Sequence, residues 1–310
     1  MKVPLSTKRK VFLLLNISSY SKTNEGLHLR KRLRNTLAET SANGSDRVHT
    51  AFDIVGDIAI IKMPSHSTVN PETAAETMME RHKNIKAVFL QKTAVRGDFR
   101  LRGLLHLAGE DNSCTVHKEL GCSFKVDLKK CYFSPRLLGE RLRIAQLVTP
   151  RETIINMFAG VGCFSLVIAK NVASTKVYSI DVNPAAVQFM TENIRLNRVY
   201  GKVIPLQGDS KTIIKKQLER CADRVLMPLP EKAFEYLPSA VSALRSSGGW
   251  IHVHVFEHAT KTESSTEKVK RKVGEALMAT GVSFGVQFVR VVRSTGPNWW
   301  HLVADVEIKC

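Results

Sequence analysis

The sequence predicts an α/β protein with a mainly parallel sheet in its second half and a smaller α+β domain before it. Two observations predict the sheet. An apolar run leads into a turn that contains Gly160 and Gly162, and a second apolar run follows and ends at Asp181. Strand-like and helix-like segments then alternate to the end of the chain, as in consecutive β-α-β units. The sheet domain, with its leading helix, is therefore placed at residues 131–310.

The smaller domain is predicted at residues 51–130, after a basic segment at residues 1–50 to which no fold is assigned. In residues 52–61, two apolar pieces flank a Gly-Asp pair, which predicts a hairpin or a bulged strand. The other predicted elements of this domain are one helix and two strands, at residues 71–83, 87–90 and 114–117.

The sheet domain begins with apolar residues at helical spacing, which predict a helix at residues 136–147 that Thr149-Pro150 ends. Two apolar runs at residues 286–292 and 302–308 flank a Gly-Pro-Asn turn and predict a terminal antiparallel pair. Between the leading helix and this terminal pair, strands are predicted at residues 203–206, 224–227 and 250–256, and helices at residues 231–244 and 264–279.

The glycine turn and the acid after it predict a nucleoside-containing cofactor. Asp181 lies about 20 residues beyond the turn, the distance at which a carboxylate reaches a ribose hydroxyl. Ser165 stands where a dinucleotide fingerprint has its third glycine, and the chain has no phosphate loop of the G-x-x-x-x-G-K-[ST] type. S-adenosylmethionine, which carries no phosphate, fits this pattern. Gly208 and Asp209 follow the next apolar run and predict a further strand end at the same ligand-binding edge.

The composition favours a polyanionic partner. The chain of 310 residues has 46 Lys and Arg against 28 Asp and Glu, a net charge of +18, and contacts from Lys and Arg to phosphate supply most non-specific affinity for nucleic acid. Residues 27–37 have the pattern of a basic helix that either contacts nucleic acid or faces solvent. The six cysteines form no C-x-x-C pair and no zinc spacing, which indicates reduced thiols in a cytoplasmic protein. No apolar run reaches the length of about 18 residues that a membrane span needs.

A cluster of aromatic, basic and acidic residues precedes the cofactor turn. Tyr132, Arg136, Glu140 and Arg141 lie within ten residues. Arg136 and Glu140 are four residues apart on one helix face, so a surface salt bridge accounts for this pair alone. The position beside a cofactor turn allows another reading, in which the carboxylate is a general base and an arginine stabilises negative charge.

The assembled motifs resemble those of the archaeal and eukaryotic tRNA (guanine-37-N1)-methyltransferase family, including its wyosine-pathway relatives. The resemblance covers residues 52–308 and rests on motifs in the family's order and spacing. Besides residues 52–61, they are Gly97-Asp98-Phe99-Arg100, Tyr132-Phe133-Ser134-Pro135-Arg136, Met157-Phe158-Ala159-Gly160-Val161-Gly162 and Asp181-Val182-Asn183-Pro184.

The resemblance implies a Rossmann-like class I S-adenosylmethionine-dependent methyltransferase domain, preceded by a small α+β RNA-positioning domain. It implies methyl transfer to N1 of guanosine 37 in tRNA, with Glu140 as the base and Arg100 at the guanine O6. Tyr132 and Arg136 would support the target base, together with the loop Pro228-Leu229-Pro230. The implied cofactor-binding residues are Phe158, Ala159, Gly160, Val161, Gly162, Asp181, Val182, Asn183, Gly208, Asp209 and Arg141. A monomer that uses no metal is expected.

The chain departs from the family pattern at several positions. Pro228 stands where the family has Asn, Asn156 replaces an acid and Cys163 replaces a proline, and residues 1–50 do not resemble the family's N-terminal fold. Two alternatives stay open at this point. The first is a wyosine-pathway enzyme acting on the same nucleotide, by C7-methylation of the tricyclic intermediate or by aminocarboxypropyl transfer. The second is a non-catalytic RNA-binding relative.

Overall fold

The computed structural model of the protein describes residues 51–63 and 70–309, which divide into two compact units. The smaller unit comprises the described residues of 51–53, 59–91 and 105–111, and the larger unit comprises residues 54–58, 92–104 and 112 onward. The predicted basic helix at residues 27–37 lies outside the described residues. Among the described residues, no helix is both long and apolar enough to cross a membrane.

The smaller unit contributes most of a four-stranded sheet and one helix. The strands lie in the order β1-β2-β3-β4. Helix α1 starts where the sequence suggests, because Asn70 caps it by accepting a hydrogen bond from the Glu72 N–H and Pro71 occupies its first turn. The elements are β1 (Ala51–Val55), β2 (Ile58–Lys62), α1 (Pro71–Arg81), β3 (Ala87–Gln91) and β4 (Leu104–Gly109).

The antiparallel hairpin of β5 (Cys114–Glu119) and β6 (Cys122–Asp127) belongs to the larger unit. Two asparagine side chains explain this. The Asn193 amide pairs with the backbone N–H and C=O of Lys125, and the Asn197 amide pairs in the same way with Ser123. The structural boundary therefore precedes the hairpin, whereas the predicted boundary at residue 130 follows it.

The larger unit is built on a seven-stranded sheet in the order β12-β13-β11-β10-β7-β8-β9. Strands β7 to β11 are parallel, and β13 runs antiparallel to β12, as the sequence predicts. Strand β13 also runs antiparallel to β11, a pairing that the sequence analysis did not include. The strands are β7 (Thr153–Asn156), β8 (Lys176–Asp181), β9 (Val203–Gln207), β10 (Arg224–Met227), β11 (Gly249–His258), β12 (Ser283–Gly296) and β13 (Trp299–Lys309). The helices are α2 (Leu138–Leu147), α3 (Cys163–Asn171), α4 (Pro184–Asn197), α5 (Ser210–Ile213), α6 (Ala233–Ala243) and α7 (Ser265–Met278).

The strand order reverses direction between β7 and β10, which defines the ligand-binding edge. From β7 the chain proceeds to β8 and β9 on one side, and then to β10 and β11 on the other. In open α/β sheets, ligands bind at the carboxyl ends of the strands beside such a switch point. The strands themselves are held by a buried apolar core that includes Ile155, Ile180, Val225 and Val253.

Histidines and charged groups are buried on one face of β11 and β13. Both ring nitrogens of His252 form hydrogen bonds. Nδ1 lies 2.6 Å from Asp305 Oδ1, and Nε2 lies 2.6 Å from Arg224 Nη1. Because the guanidinium can only donate, His252 is neutral, with its proton on the nitrogen that faces Asp305. His254 and His301 share a hydrogen bond of 2.9 Å. Burial lowers the pKa of all three imidazoles, that of His301 to about 3.

Because these histidines are buried and neutral, we expect acid to destabilise the fold at a higher pH than the range in which ordinary carboxylates take up protons. The unfolded chain takes up a proton on each histidine near pH 6.5, whereas the folded chain does not until its lowered pKa is reached. The free energy of unfolding should therefore fall as pH drops below 6.5, by up to about 1.4 kcal/mol per pH unit for each histidine. Thermal unfolding at pH 7.5, 6.5 and 5.5, at constant ionic strength, measures this.

The control for this experiment is the exposed His258. His258→Gln should keep the pH dependence of the wild-type Tm, and His254→Gln should weaken it, since one buried imidazole is removed. A Tm that does not change between pH 7.5 and 5.5 would contradict the prediction.

Candidate active site

A cavity of about 260 Å³ lies at the carboxyl ends of the central strands, within the larger unit. Phe158 follows β7, Asp181 ends β8, Gly208 follows β9 and Pro228 follows β10, and all four line it. The cavity therefore occupies the switch-point crevice that the sequence pattern predicts.

Asp181 organises the floor of this cavity. Its Oδ2 accepts a hydrogen bond of 2.6 Å from the Gly160 N–H, and its Oδ1 accepts one of 2.9 Å from the Asn183 N–H. Burial raises the pKa of this carboxyl, and the two backbone N–H groups offset part of that effect. Gly160, Asp181, Val182 and Asn183 all line the cavity, so the structure brings these predicted residues together.

The second glycine of the turn has a different role from the predicted one. Gly162 begins α3 with a φ of +93°, and an added Cβ would lie 2.7 Å from Leu166 Cδ1. The positive φ therefore favours glycine here, and a larger residue would also have to displace the end of the Leu166 side chain. Gly162, Ala159 and Val161 do not line the cavity, and the turn contributes through Phe158 and Gly160 instead.

Asp209 marks the other side of the cavity, beside an aromatic residue that the sequence reasoning missed. The Tyr236 hydroxyl donates a hydrogen bond of 2.5 Å to Asp209 Oδ2, and the Tyr236 ring meets Phe158 edge-on with 5.1 Å between centroids. Burial raises the pKa of Asp209, but hydrogen bonds from Tyr236 and the backbone outweigh it and lower the pKa. Tyr236 gave no sequence signal because it lies inside the amphipathic helix α6.

Arg100 reaches the cavity from a tight turn. Its backbone has a φ of +55°, and its guanidinium lies 4.4 Å from the centre of the Tyr132 ring. One guanidinium nitrogen is 3.1 Å from an oxygen of the half-exposed Glu231. Arg100 and Tyr132 both line the cavity, whereas Arg136 is exposed and does not. Two of the three predicted substrate-side residues therefore lie at the cavity, and their roles stay predictions.

The loop after β10 lies partly in the cavity. Pro228 and Leu229 line it, and Pro230 is buried at the start of a short 3-10 turn, Pro230–Lys232. Pro228 has neither a polar side chain nor a backbone N–H, so it offers a ligand only its carbonyl and its apolar ring.

Glu140 does not lie in the cavity. Its side chain is fully buried, and both carboxylate oxygens accept hydrogen bonds from Arg143, the shortest of 2.7 Å. The same guanidinium also binds Asp305, with nitrogen–oxygen distances of 2.5 and 3.0 Å. The structure thus does not bring Glu140 together with Arg100 and Asp181, because a buried carboxylate is placed where its charge can be paired.

Arg141 is likewise not a cavity residue, which corrects its predicted place in the cofactor site. It is 2% exposed and pairs through two nitrogens with the buried Glu119, at 2.5 and 2.8 Å. It also donates to the Ser134 carbonyl. Arg141 therefore ties α2 to β5.

The cavity fits a nucleoside that carries no phosphate. Two carboxylates at neighbouring strand ends, Asp181 and Asp209, suit neutral hydroxyl and amine donors and repel phosphate. The two cations on the lining, Arg100 and Lys232, already face Glu231 and Asp98. Gly160 exposes backbone, and Phe158 adds an apolar surface for a ring.

Comparison with known proteins supports the same reading. The TRM5/TYW2 methyltransferase domain matches residues 115–281, and the TYW2 N-terminal domain matches residues 29–112. The second match corrects the expectation that residues 1–50 lack any resemblance to the family's N-terminal fold, since it begins at residue 29. The two matches also meet close to the structural boundary.

Individual relatives are similar over most of their length. Trm5b of Pyrococcus abyssi, a tRNA (guanine(37)-N(1))-methyltransferase, is 37% identical over 84% of this chain and 75% of the relative. Taw21 of Saccharolobus solfataricus, a tRNA 4-demethylwyosine(37)-methyltransferase, is 38% identical over 83% of this chain and 93% of the relative. A solved complex of aTrm5 with tRNALeu has a TM-score of 0.75 at 32% identity and covers 89% of this chain and 78% of its own. The chain belongs to the S-adenosylmethionine-dependent TRM5/TYW2 methyltransferase family.

Proposed function

We propose that this protein transfers a methyl group from S-adenosylmethionine to N1 of guanosine 37 in tRNA. The observation that carries the proposal is the position of Arg100. This cation lines the same cavity as Asp181, the carboxylate that we assign to cofactor binding. Similarity to Trm5b supports the choice of substrate. The monomeric state and the cytoplasmic location stay predictions of the sequence.

The chemistry needs a cation at this place. When bound, S-adenosylmethionine supplies a methyl group from a sulfonium centre. As the N1–methyl bond forms, N1 of guanine loses its proton and negative charge gathers on O6. A guanidinium held beside O6 stabilises that charge, and a side chain already fixed over the Tyr132 ring does so without reorganising. The target base must also leave its stack, which costs a few kcal/mol and requires compensating contacts.

The proton acceptor is a separate proposal. The family resemblance assigns it to Glu140, which in the structure is paired with Arg143 outside the cavity. For Glu140 to act as the base, one of its oxygens has to leave Arg143, which Asp305 can continue to bind. No other step of the proposal depends on this assignment.

Glu140→Gln tests the base assignment. We expect the single-turnover rate of methyl transfer to fall by about 100-fold, the range for a general base, with tRNA affinity retained. The matched control is Glu152→Gln, which removes a similarly paired carboxylate from Arg224 away from the cavity. Tm is measured for both variants. An unchanged rate with a lowered Tm would make Glu140 a structural partner of Arg143 alone.

A second candidate function is methylation of C7 of the tricyclic wyosine intermediate at the same nucleotide. Two observations favour it: Pro228 stands in the loop that lines the cavity, and the N-terminal match is to the TYW2 domain. Incubation with tRNA carrying 4-demethylwyosine at position 37 distinguishes the outcomes. A gain of one methyl group would add this activity, and a gain of an aminocarboxypropyl group would replace the methyltransferase proposal.

A further inference from the structure

Near the start of β13, three buried nitrogen atoms have no hydrogen-bond partner among the described residues. They are Nε of Arg100, Nε of Arg293 and Nδ1 of His301. His301 is 3% exposed. Buried donors are nearly always paired in folded proteins, so three such atoms in one region indicate a group that the described residues do not supply.

The three residues are neighbours in the fold. Arg293 on β12 and His301 on β13 are direct cross-strand partners, which places their side chains on the same face of the sheet. Burial lowers the pKa of His301, and the charges of Arg293 and Arg100 lower it further, so both guanidinium groups act on this ring. The cluster is therefore a pair of cations around a neutral imidazole.

Among the described residues, Glu231 pairs with a terminal nitrogen of Arg100, and no carboxylate pairs with the side chain of Arg293 or His301. Asp305 binds His252 and Arg143, and Glu140 binds Arg143. Within the described residues, the side chain of Arg293 forms no hydrogen bond or ion pair. His301 accepts at Nε2 when His254 donates to it, and Nδ1 of His301 then carries the proton and is a donor as well. All three unpaired atoms can thus act as hydrogen-bond donors.

We propose that Arg293, His301 and Arg100 form an oxyanion site that receives a phosphodiester of the RNA, next to the nucleotide that enters the cavity. The proposal rests on RNA being the substrate. Phosphate oxygens suit this cluster because guanidinium groups bind them with short, charge-assisted hydrogen bonds.

The position favours RNA over the other available anion, the cofactor's carboxylate. Arg100 lines the cavity, but Arg293 and His301 do not, so the anion would lie beside the cofactor site rather than within it. Arg100 would then serve two neighbouring parts of one nucleotide, the base through its terminal nitrogens and the backbone through Nε. The net charge of +18 is consistent with a phosphate ligand.

The first experiment measures tRNA binding by Arg293→Gln across a series of salt concentrations. We expect the affinity to fall about tenfold and the slope of log K against log salt to decrease by about one. The matched control is Arg271→Gln, which removes the same charge from an exposed pair with Glu275 on α7 and should change neither value. Arg293→Lys keeps the charge and loses the Nε donor, so its tRNA affinity should lie between those of Arg293→Gln and the wild type.

A second experiment locates the phosphate. An anticodon stem-loop RNA is made with one uncharged methylphosphonate linkage, placed in turn on each side of nucleotide 37. At one of the two linkages, the uncharged group should weaken binding by the wild type as much as the Arg293→Gln substitution does on unmodified RNA. The same uncharged linkage should not weaken binding by Arg293→Gln any further. Equal losses for wild type and variant at both linkages would overturn the site.

Calorimetry with S-adenosylmethionine and no RNA distinguishes the two anions. An unchanged Kd for Arg293→Gln supports the phosphate, and a weakened Kd would assign the anion to the cofactor's carboxylate and overturn the proposal. These readouts need no turnover. If the wild type fails to methylate guanosine 37 but the methylphosphonate effect is present, the function proposal fails and the phosphate site stands.

Discussion

Replacing Asp181 with alanine is expected to raise the Kd for S-adenosylmethionine by at least about 100-fold, close to the loss of measurable binding. The carboxylate has two roles that alanine cannot perform. It holds the glycine turn through Gly160 and the start of α4 through Asn183, and it lines the cavity where we expect the cofactor ribose to bind. Removing it therefore loosens the cofactor floor and deletes a hydrogen-bond acceptor at once. Isothermal titration calorimetry measures the effect.

The control for Asp181→Ala has to lose a similar backbone contact elsewhere. Asp223 accepts a hydrogen bond of 2.7 Å from the Thr153 N–H but does not line the cavity. Asp223→Ala should lower Tm and leave the Kd for the cofactor unchanged. Equal cofactor affinity for Asp181→Ala and the wild type would refute the assigned role of Asp181.

Replacing Arg100 with glutamine is expected to slow methyl transfer by about 100-fold at saturating tRNA, with the Kd for S-adenosylmethionine unchanged. Removing one donor that stabilises a developing oxyanion has an effect of this size in other enzymes. Single-turnover kinetics on pre-bound tRNA separate this loss from weaker RNA binding. The expected signature is a lower rate that more tRNA does not restore.

Arg102 provides the matched control, because it lies two residues away in the same segment. Its guanidinium is farther from Tyr132, at 5.9 Å from the ring centre, and it donates to the Phe133 carbonyl instead of lining the cavity. Arg102→Gln should leave the saturated rate within a few-fold of wild type. If both variants transfer methyl at the wild-type rate, Arg100 does not stabilise the reacting base.

The cofactor side of the site could be predicted from the sequence because it is built from local segments. Gly160 and Asp181 belong to one β-α-β unit, and the end of a parallel strand brings its acid to the edge where the preceding turn lies. The same logic placed Asp209 and the loop at Pro228. The parallel direction of β7 to β11 follows from the same alternation of strands and helices.

The pairing of charged residues could not be predicted in this way. Glu140 and Arg141 are adjacent in sequence, yet their partners differ. Glu140 pairs with Arg143, which also binds Asp305, whereas Arg141 pairs with Glu119. These partners are distant in sequence, and a single sequence contains no signal that joins them. The cluster of Arg293 and His301 also depends on the register of β12 against β13, which bulges shift more than once.

The most direct measurement is nucleoside mass spectrometry of an unmodified tRNA transcript with guanosine 37, after incubation with the protein and S-adenosylmethionine. We expect 1-methylguanosine in the transcript, and none when position 37 is changed to another base. A transcript that stays unmodified, bound by a protein that still binds S-adenosylmethionine, would contradict methylation of guanine N1.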